Sequence, residues 1–255
     1  MFSIKIDDIY PFLETTILFV ELTHKEICLK FLQSTLSIIV RYQSPIFIVM
    51  MSMPQPLFAE YSVDRNHISI VSLPPLHNAL VDGETFATLN ISIEEEQNKI
   101  FLTFEASSPS TLPLNRELTF VVPMEDWSPG PVKFDGKIFS IESELFTDII
   151  QLFSAFNEAD AILITAFGSK VTFSVPPFAE TPLTEESGTC LILGDREIET
   201  RIQMPFRPSS FFSNCVLQSQ RVWFFQSFDS SCTLIHFPFE VYAHFLMICI
   251  PFHMM

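Results

Sequence analysis

Glycine is scarce in this chain of 255 residues, which has only six. That scarcity argues against folds built on glycine-rich phosphate loops and against collagen-like or linker-like chains. Basic residues are few as well: 14 Lys and Arg stand against 30 Asp and Glu, a formal net charge of −16. A protein that grips nucleic acid over its whole surface is basic. Here only a local basic patch or a loose topological hold would link the chain to DNA; otherwise the acidic surface serves solubility. The five cysteines are odd in number and form no C-x-x-C pair. A disulfide scaffold and a structural zinc site are therefore not expected, and reduced, buried thiols in a cytosolic or nuclear protein are. No apolar run reaches the length of a membrane span. The opening MFSIKIDDIY lacks the basic region and apolar run of a signal peptide.

What the chain does have is apolar mass. It is 48% hydrophobic and 17% charged, with 28 phenylalanines, enough for a large core rather than a disordered chain. Its length suits one large domain or two of about half the size. Alternation predicts strands at 2–6, 26–32, 35–42, 46–53, 68–71, 86–93 and 99–106. Residues 9–22 carry helical spacing behind Asp7 and Asp8, with Pro11 in the first turn, and Leu73–Val81 reads as a short helix entered through prolines. Residues 107–116 are rich in Ser and Pro, a strand-like piece follows at 117–122, and then PMEDWSPGP. This stretch is the expected linker. Beyond it the plan repeats: a strand at 132–141, a helix at 143–156 and strands at 161–167 and 170–175. A proline- and glutamate-rich loop is expected at 176–188. Strands at 189–193 and 197–204 lead to a short helix near 207–215 and strands at 221–228, 232–239 and 241–250.

A sequence echo supports duplication. Phe2-Ser3-Ile4 matches Phe139-Ser140-Ile141, and the same offset pairs Ile9 with Phe146, Leu13 with Ile150 and Phe19 with Phe156. The expected division is 1–107, a connector at 108–131, and 132–255. The search for chemistry is bare. There is no nucleophile elbow, dinucleotide loop or P-loop, and the six histidines are scattered without H-E-x-x-H or paired spacing. Glu94–Glu96 and Glu185-Glu186 read as solvated turns. The expectation is no enzyme, no cofactor and no metal.

The order of elements and several segments resemble the eukaryotic DNA sliding clamps. Tyr61-Ser62-Val63-Asp64-Arg65-Asn66 resembles a Tyr-x-x-Asp-Arg-Asn segment of the proliferating cell nuclear antigen, with Val71 and Leu73 following. Phe104-Glu105-Ala106 resembles the entry to that family's interdomain connector. Asp160–Ile164 resembles the strand after its second long helix, and Arg207 with Phe211-Phe212 its last helix. His244, seven residues before Pro251, resembles its final strand. Pro56–Tyr61 and Ala243–Ile248 look closer to the Rad-nine-type subunit of the DNA-damage checkpoint clamp. Those subunits usually carry a long phosphorylated tail, whereas this sequence ends at Met255. A truncated isoform, a fragment or a different clamp are the readings that follow.

The resemblance implies an α+β fold of two similar clamp domains, each of antiparallel sheets with two helices, assembling into a three-subunit ring. It implies a non-catalytic nuclear subunit that encircles duplex DNA and recruits checkpoint, repair or replication proteins. Partners would be two other clamp subunits and a clamp loader, with no membrane involved. A replication clamp is the alternative within the family, and a β-rich enzyme or ligand-binding domain the alternative outside it. By resemblance, the partner groove would use Arg41, Pro45, Ile46, Ile48, Asp126, Trp127 and Pro251. Trp127 is either a peptide anchor or a pin for the strap. Val171 and Phe173, on an expected edge strand, would form the subunit interface. The family's basic helix positions correspond here to Glu21, Asn78, Val81, Asp148, Gln151 and Asn214, which cannot attract phosphate. Only Arg207 is kept as DNA-facing, with a plain helix-end arginine as its other reading.

Overall fold

The structure, a computed structural model, describes residues 2–23, 25–43, 46–108, 110–128, 137–156, 161–217, 219–227, 232–239 and 243–249. Among the described residues strands make up 51% and helices 22%, and within each of two compact units the strands gather into antiparallel ladders. This corrects the expectation of an α+β pair of similar clamp domains: the fold is β-rich and mostly antiparallel. The physical reason lies in the sequence pattern. Period-two runs of Ile, Val and Phe dominate it, and the four described helices span only 7 to 13 residues. The chain divides into two compact units. The first holds Met1–Val40 and Met50–Ser128, and the second Arg41–Val49 and Pro129–Met255.

In the first unit, β1 (Phe2–Ile6) buries Phe2, Ile4 and Ile6 on one face. Helix α1 (Tyr10–Leu22) follows, and the Asp8 carboxylate accepts the Tyr10 N–H at 3.0 Å. Strands β2 (Glu26–Leu32), β3 (Thr35–Gln43), β4 (Ile46–Pro54), β5 (Glu60–Val63) and β6 (His67–Ser72) precede α2 (Leu73–Gly83), with the Arg41–Val49 part of β3 and β4 counted in the second unit. Then come β7 (Thr88–Glu94), β8 (Lys99–Glu105) and β9 (Leu114–Val121). The ladder runs β5-β1-β7-β8-β9-β6-β2-β3. The buried Thr16 hydroxyl lies 3.1 Å from His77 Nδ1, so a polar contact joins α1 to α2. Gly83 ends α2 where a Cβ would sit 2.1 Å from the Phe104 ring, so no side chain fits there. Residues 108–131, expected as connector, contain β9.

The second unit runs β10 (Ile138–Glu142), α3 (Ser143–Ser154), β11 (Ala161–Phe167), β12 (Lys170–Val175), β13 (Ala179–Thr184), β14 (Cys190–Leu193) and β15 (Thr200–Pro205). Helix α4 (Ser209–Cys215) and strands β16 (Arg221–Gln226), β17 (Thr233–Phe239) and β18 (Ala243–Cys249) follow. One ladder is β14-β10-β16-β17-β18 and the other β13-β12-β11-β15. Phenylalanine fills the core: Phe139 stacks on Phe224 at 4.7 Å, while Phe146 and Phe173 approach the same Phe224 ring at 6.2 and 6.1 Å. Such offset and edge contacts add to plain burial.

Two further expectations change. Strand β12 pairs with β11 on one side and β13 on the other, so it is no edge, and Val171 and Phe173 are fully buried core residues. The end strands of this ladder are β13 and β15, and β13 lies in the stretch expected to be a loop; its Pro182 and Glu180 hid the strand. The echo holds at β1 and β10 and weakens at the helices. Helix α3 follows β10 with no spacer, while three residues separate β1 from α1. Phe19 is fully buried inside α1, but Phe156 lies beyond the end of α3 and stacks on Phe178 at 5.4 Å.

Candidate partner-binding site

Strand β6 alternates inward and outward, and inward is where His67 points: its side chain is 6% exposed. Three aromatic rings enclose it, Phe2 and Phe120 at 5.2 Å and Phe31 at 6.0 Å. Its Nδ1 lies 3.0 Å from Glu95 Oε1, and its Nε2 meets the Ser69 hydroxyl. A carboxylate only accepts, so Nδ1 carries the proton and Nε2 accepts from Ser69. Burial pushes the His67 pKa below its ordinary value, against the opposing pull of Glu95. Glu95 also pairs with Arg65.

Beside this histidine is a cleft of about 320 Å³, lined by first-unit residues 66–68, Glu95, Asn98, Phe120 and 122–126. Its wall is fixed on both sides. Asn98, left-handed at φ 55°, turns the chain after Glu95, and its carbonyl accepts the Phe120 N–H at 2.9 Å. Residues 122–128 form a strap held from beneath by Lys30. The Lys30 ammonium donates to Asp126 Oδ2 at 2.5 Å and to the Ser128 hydroxyl at 2.7 Å. Asp126 Oδ1 accepts the Ser128 N–H at 2.9 Å. Burial tends to raise the Asp126 pKa, but the hydrogen bonds from Lys30 and Ser128 outweigh it and hold the carboxyl below its usual range.

Three apolar side chains are exposed where β9 runs into the strap, ahead of the exposed Glu125 and Asp126. Val121 is 65% exposed, Val122 is 61% exposed and Met124 is fully exposed, while their neighbours Leu118 and Phe120 are buried. Val122 and Met124 also line the cleft, so exposed apolar side chains form part of its wall. Methionine suits such a place because its flexible thioether adapts to varied partners.

Of the expected groove residues, Asp126 lines this cleft and Trp127 follows it on the strap, half-buried. Arg41 is exposed and Ile48 buried in the segment Arg41–Val49, which belongs to the second unit. Ile46 begins β4, but its side chain, like Pro45 and Pro251, lies outside the described residues. The structure ties Arg207 down locally. Its guanidinium donates to the Phe156 carbonyl at 3.1 Å and sits 5.3 Å from the Phe206 ring. The four described helices carry no lysine or arginine.

Sequence reasoning missed His67 and took Glu95 for a solvated turn. The usable signal was the pattern His67-Ile-Ser69-Ile-Val71, which places His67 on the inward face with Val71. Lys137 was missed as well: it is buried, and its ammonium donates to the carbonyls of Ala166 at 3.0 Å and Ile198 at 2.5 Å. All five cysteines are buried. Burial pushes the Cys190 and Cys249 thiols up, away from the reactive thiolate. Among the described residues no helix is long and apolar enough to cross a membrane. Set against known protein families and curated proteins, the chain matches none.

Proposed function

We propose that this chain is a non-catalytic interaction subunit that recruits a partner protein through the end of β9 and the strap that follows it, at residues 121–126. The observation that carries the reading is the exposed apolar run of Val121, Val122 and Met124 beside the 320 Å³ cleft. Two of the cleft's titratable side chains support it, because the structure already engages them. His67 is held by Glu95 and Ser69, and Asp126 by Lys30 and Ser128. What the strap offers a visitor is apolar contact, which suits an aliphatic or aromatic anchor from a partner.

In its finer form the proposal rests on the sequence resemblance. The chain would serve in the nucleus as a Rad-nine-like subunit of the DNA-damage checkpoint clamp. It would join two other clamp subunits, be placed by a loader, and hold repair and signalling proteins on duplex DNA. Because its described helices carry no Lys or Arg, phosphate contact in such a clamp would fall to the partners. Linkage of this kind raises effective concentration without strong DNA affinity. A replication clamp is the second reading, favoured by the Tyr61–Asn66 segment.

The test is binding of purified checkpoint, repair and replication proteins to the immobilised chain, with Met124→Glu in parallel. The reading predicts a partner whose capture weakens at least about tenfold in the variant, because a charge must then be desolvated. Equal capture by both chains would contradict it.

A further inference from the structure

The sequence spreads its histidines without paired spacing, but the β17–β18 hairpin of the second unit brings two together. The register places His236 opposite Leu246 and Pro238 opposite His244, so both rings occupy one face on a diagonal. His236 Nε2 lies 3.0 Å from His244 Nδ1, and the ring centroids are 5.0 Å apart. We propose that His236 and His244 form a two-histidine site for a divalent late transition cation, Cu(II) above all.

The distance argues for it. Metal–nitrogen bonds of about 2.0–2.1 Å at a right angle set two imidazole nitrogens about 2.9 Å apart, and at the tetrahedral angle about 3.3 Å. The observed separation falls between the two, near the right-angled value. The backbone need not move to bind; the proton that the facing nitrogens share in their hydrogen bond moves to an outer ring nitrogen as the cation replaces it. The hairpin's seven cross-strand pairs hold both ligands on rigid backbone. Each ring can keep its proton on the outer nitrogen, His236 Nδ1 and His244 Nε2, leaving the facing nitrogens as donors. Imidazole pairs suit Cu(II), Ni(II) and Zn(II), with Cu(II) strongest, and do not suit Ca(II) or Mg(II). Among the described residues no third His, Cys, Asp or Glu joins the pair. His244 is exposed, so the remaining positions face outward, to be filled by water or by another molecule's side chain.

The neighbourhood supplies a reporter. Trp223 on β16 is the cross-strand partner of His236. Cu(II) bound at the pair lies close enough to quench its fluorescence. Trp127 is the other tryptophan, so the measurement uses Trp127→Phe as background. Titration with CuCl₂ is expected to give saturable quenching at one equivalent, reversed by chelator, with no response to MgCl₂. His244→Asn, an exposed substitution, is expected to weaken the response at least about tenfold while the circular dichroism spectrum stays unchanged. Cu(II) should also raise Tm in the background protein and not in His244→Asn, since a ligand that binds only the folded chain stabilises it. Absence of saturable quenching would overturn the proposal. So would quenching that His244→Asn leaves unchanged.

Discussion

His67 in the first unit and His236 in the second sit on strands of the same alternating kind, yet their rings meet different company. His67 is enclosed by three aromatic rings and held at both nitrogens, by a carboxylate and a hydroxyl. His236 faces a second imidazole, and its half-buried ring borders the exposed His244. Burial lowers both pKa values; His236, with the charge of His244 acting in the same direction, falls to about 4. The difference teaches how to tell a structural histidine from an available one. Where both ring nitrogens have fixed protein partners, the ring braces its strand. Where one nitrogen faces another imidazole, it can exchange that contact for a ligand.

Removing the rings should break the comparison unevenly. His67→Ala leaves a cavity among three aromatic rings and removes the partner of Ser69 and one of the partners of Glu95, so denaturant unfolding should show a loss of about 2–4 kcal/mol. His244→Asn, at an exposed position, should change stability by no more than about 0.5 kcal/mol. Equal losses from both would erase the distinction.

Acid sharpens it next. The folded pKa of His67 lies below its unfolded value of about 6.5, so the unfolded chain binds more protons between the two. The stabilising contribution is complete above about pH 6.5 and is lost as pH falls below it, until the folded pKa is passed. Stability measured from about pH 7 down to pH 5 should therefore decline, and His67→Gln should flatten the decline. His236 contributes over the same interval, so the single variant reduces the slope without abolishing it. A slope unchanged in His67→Gln would contradict the assigned protonation.

The strap should respond least in stability. Lys30→Met breaks a contact with an Asp126 side chain that is 44% exposed. The expected cost is about 1 kcal/mol or less, in unfolding experiments at low salt. Protease nicking between residues 122 and 128 should rise, because the strap loses its tether. Unchanged nicking would show that Lys30 does not hold it.

Much of the secondary structure was legible. Alternation marked β2, β3, β4 and β8, and helical spacing after Asp8 and from the prolines Pro74-Pro75 onward marked α1 and α2. Two strands escaped. β5 is four residues long, and β13 carries Pro182, tolerable there because the strand lies at a sheet edge. Sheet order was not legible, since it is set by pairings between distant residues. That is why β12 was taken for an edge and the fold for a pair of clamp domains. The strap itself was visible as a break in pattern. Its fastening was not, because Lys30 and Asp126 are 96 residues apart.

The central claim is that the chain works as one subunit among different partners. Light scattering after size exclusion tests it most directly, on the chain alone and mixed with two candidate checkpoint-clamp subunits. The account predicts 29.2 kDa alone and a single larger species containing all three chains in the mixture. A self-assembled trimer of the chain alone, or no change of mass on mixing, would contradict it.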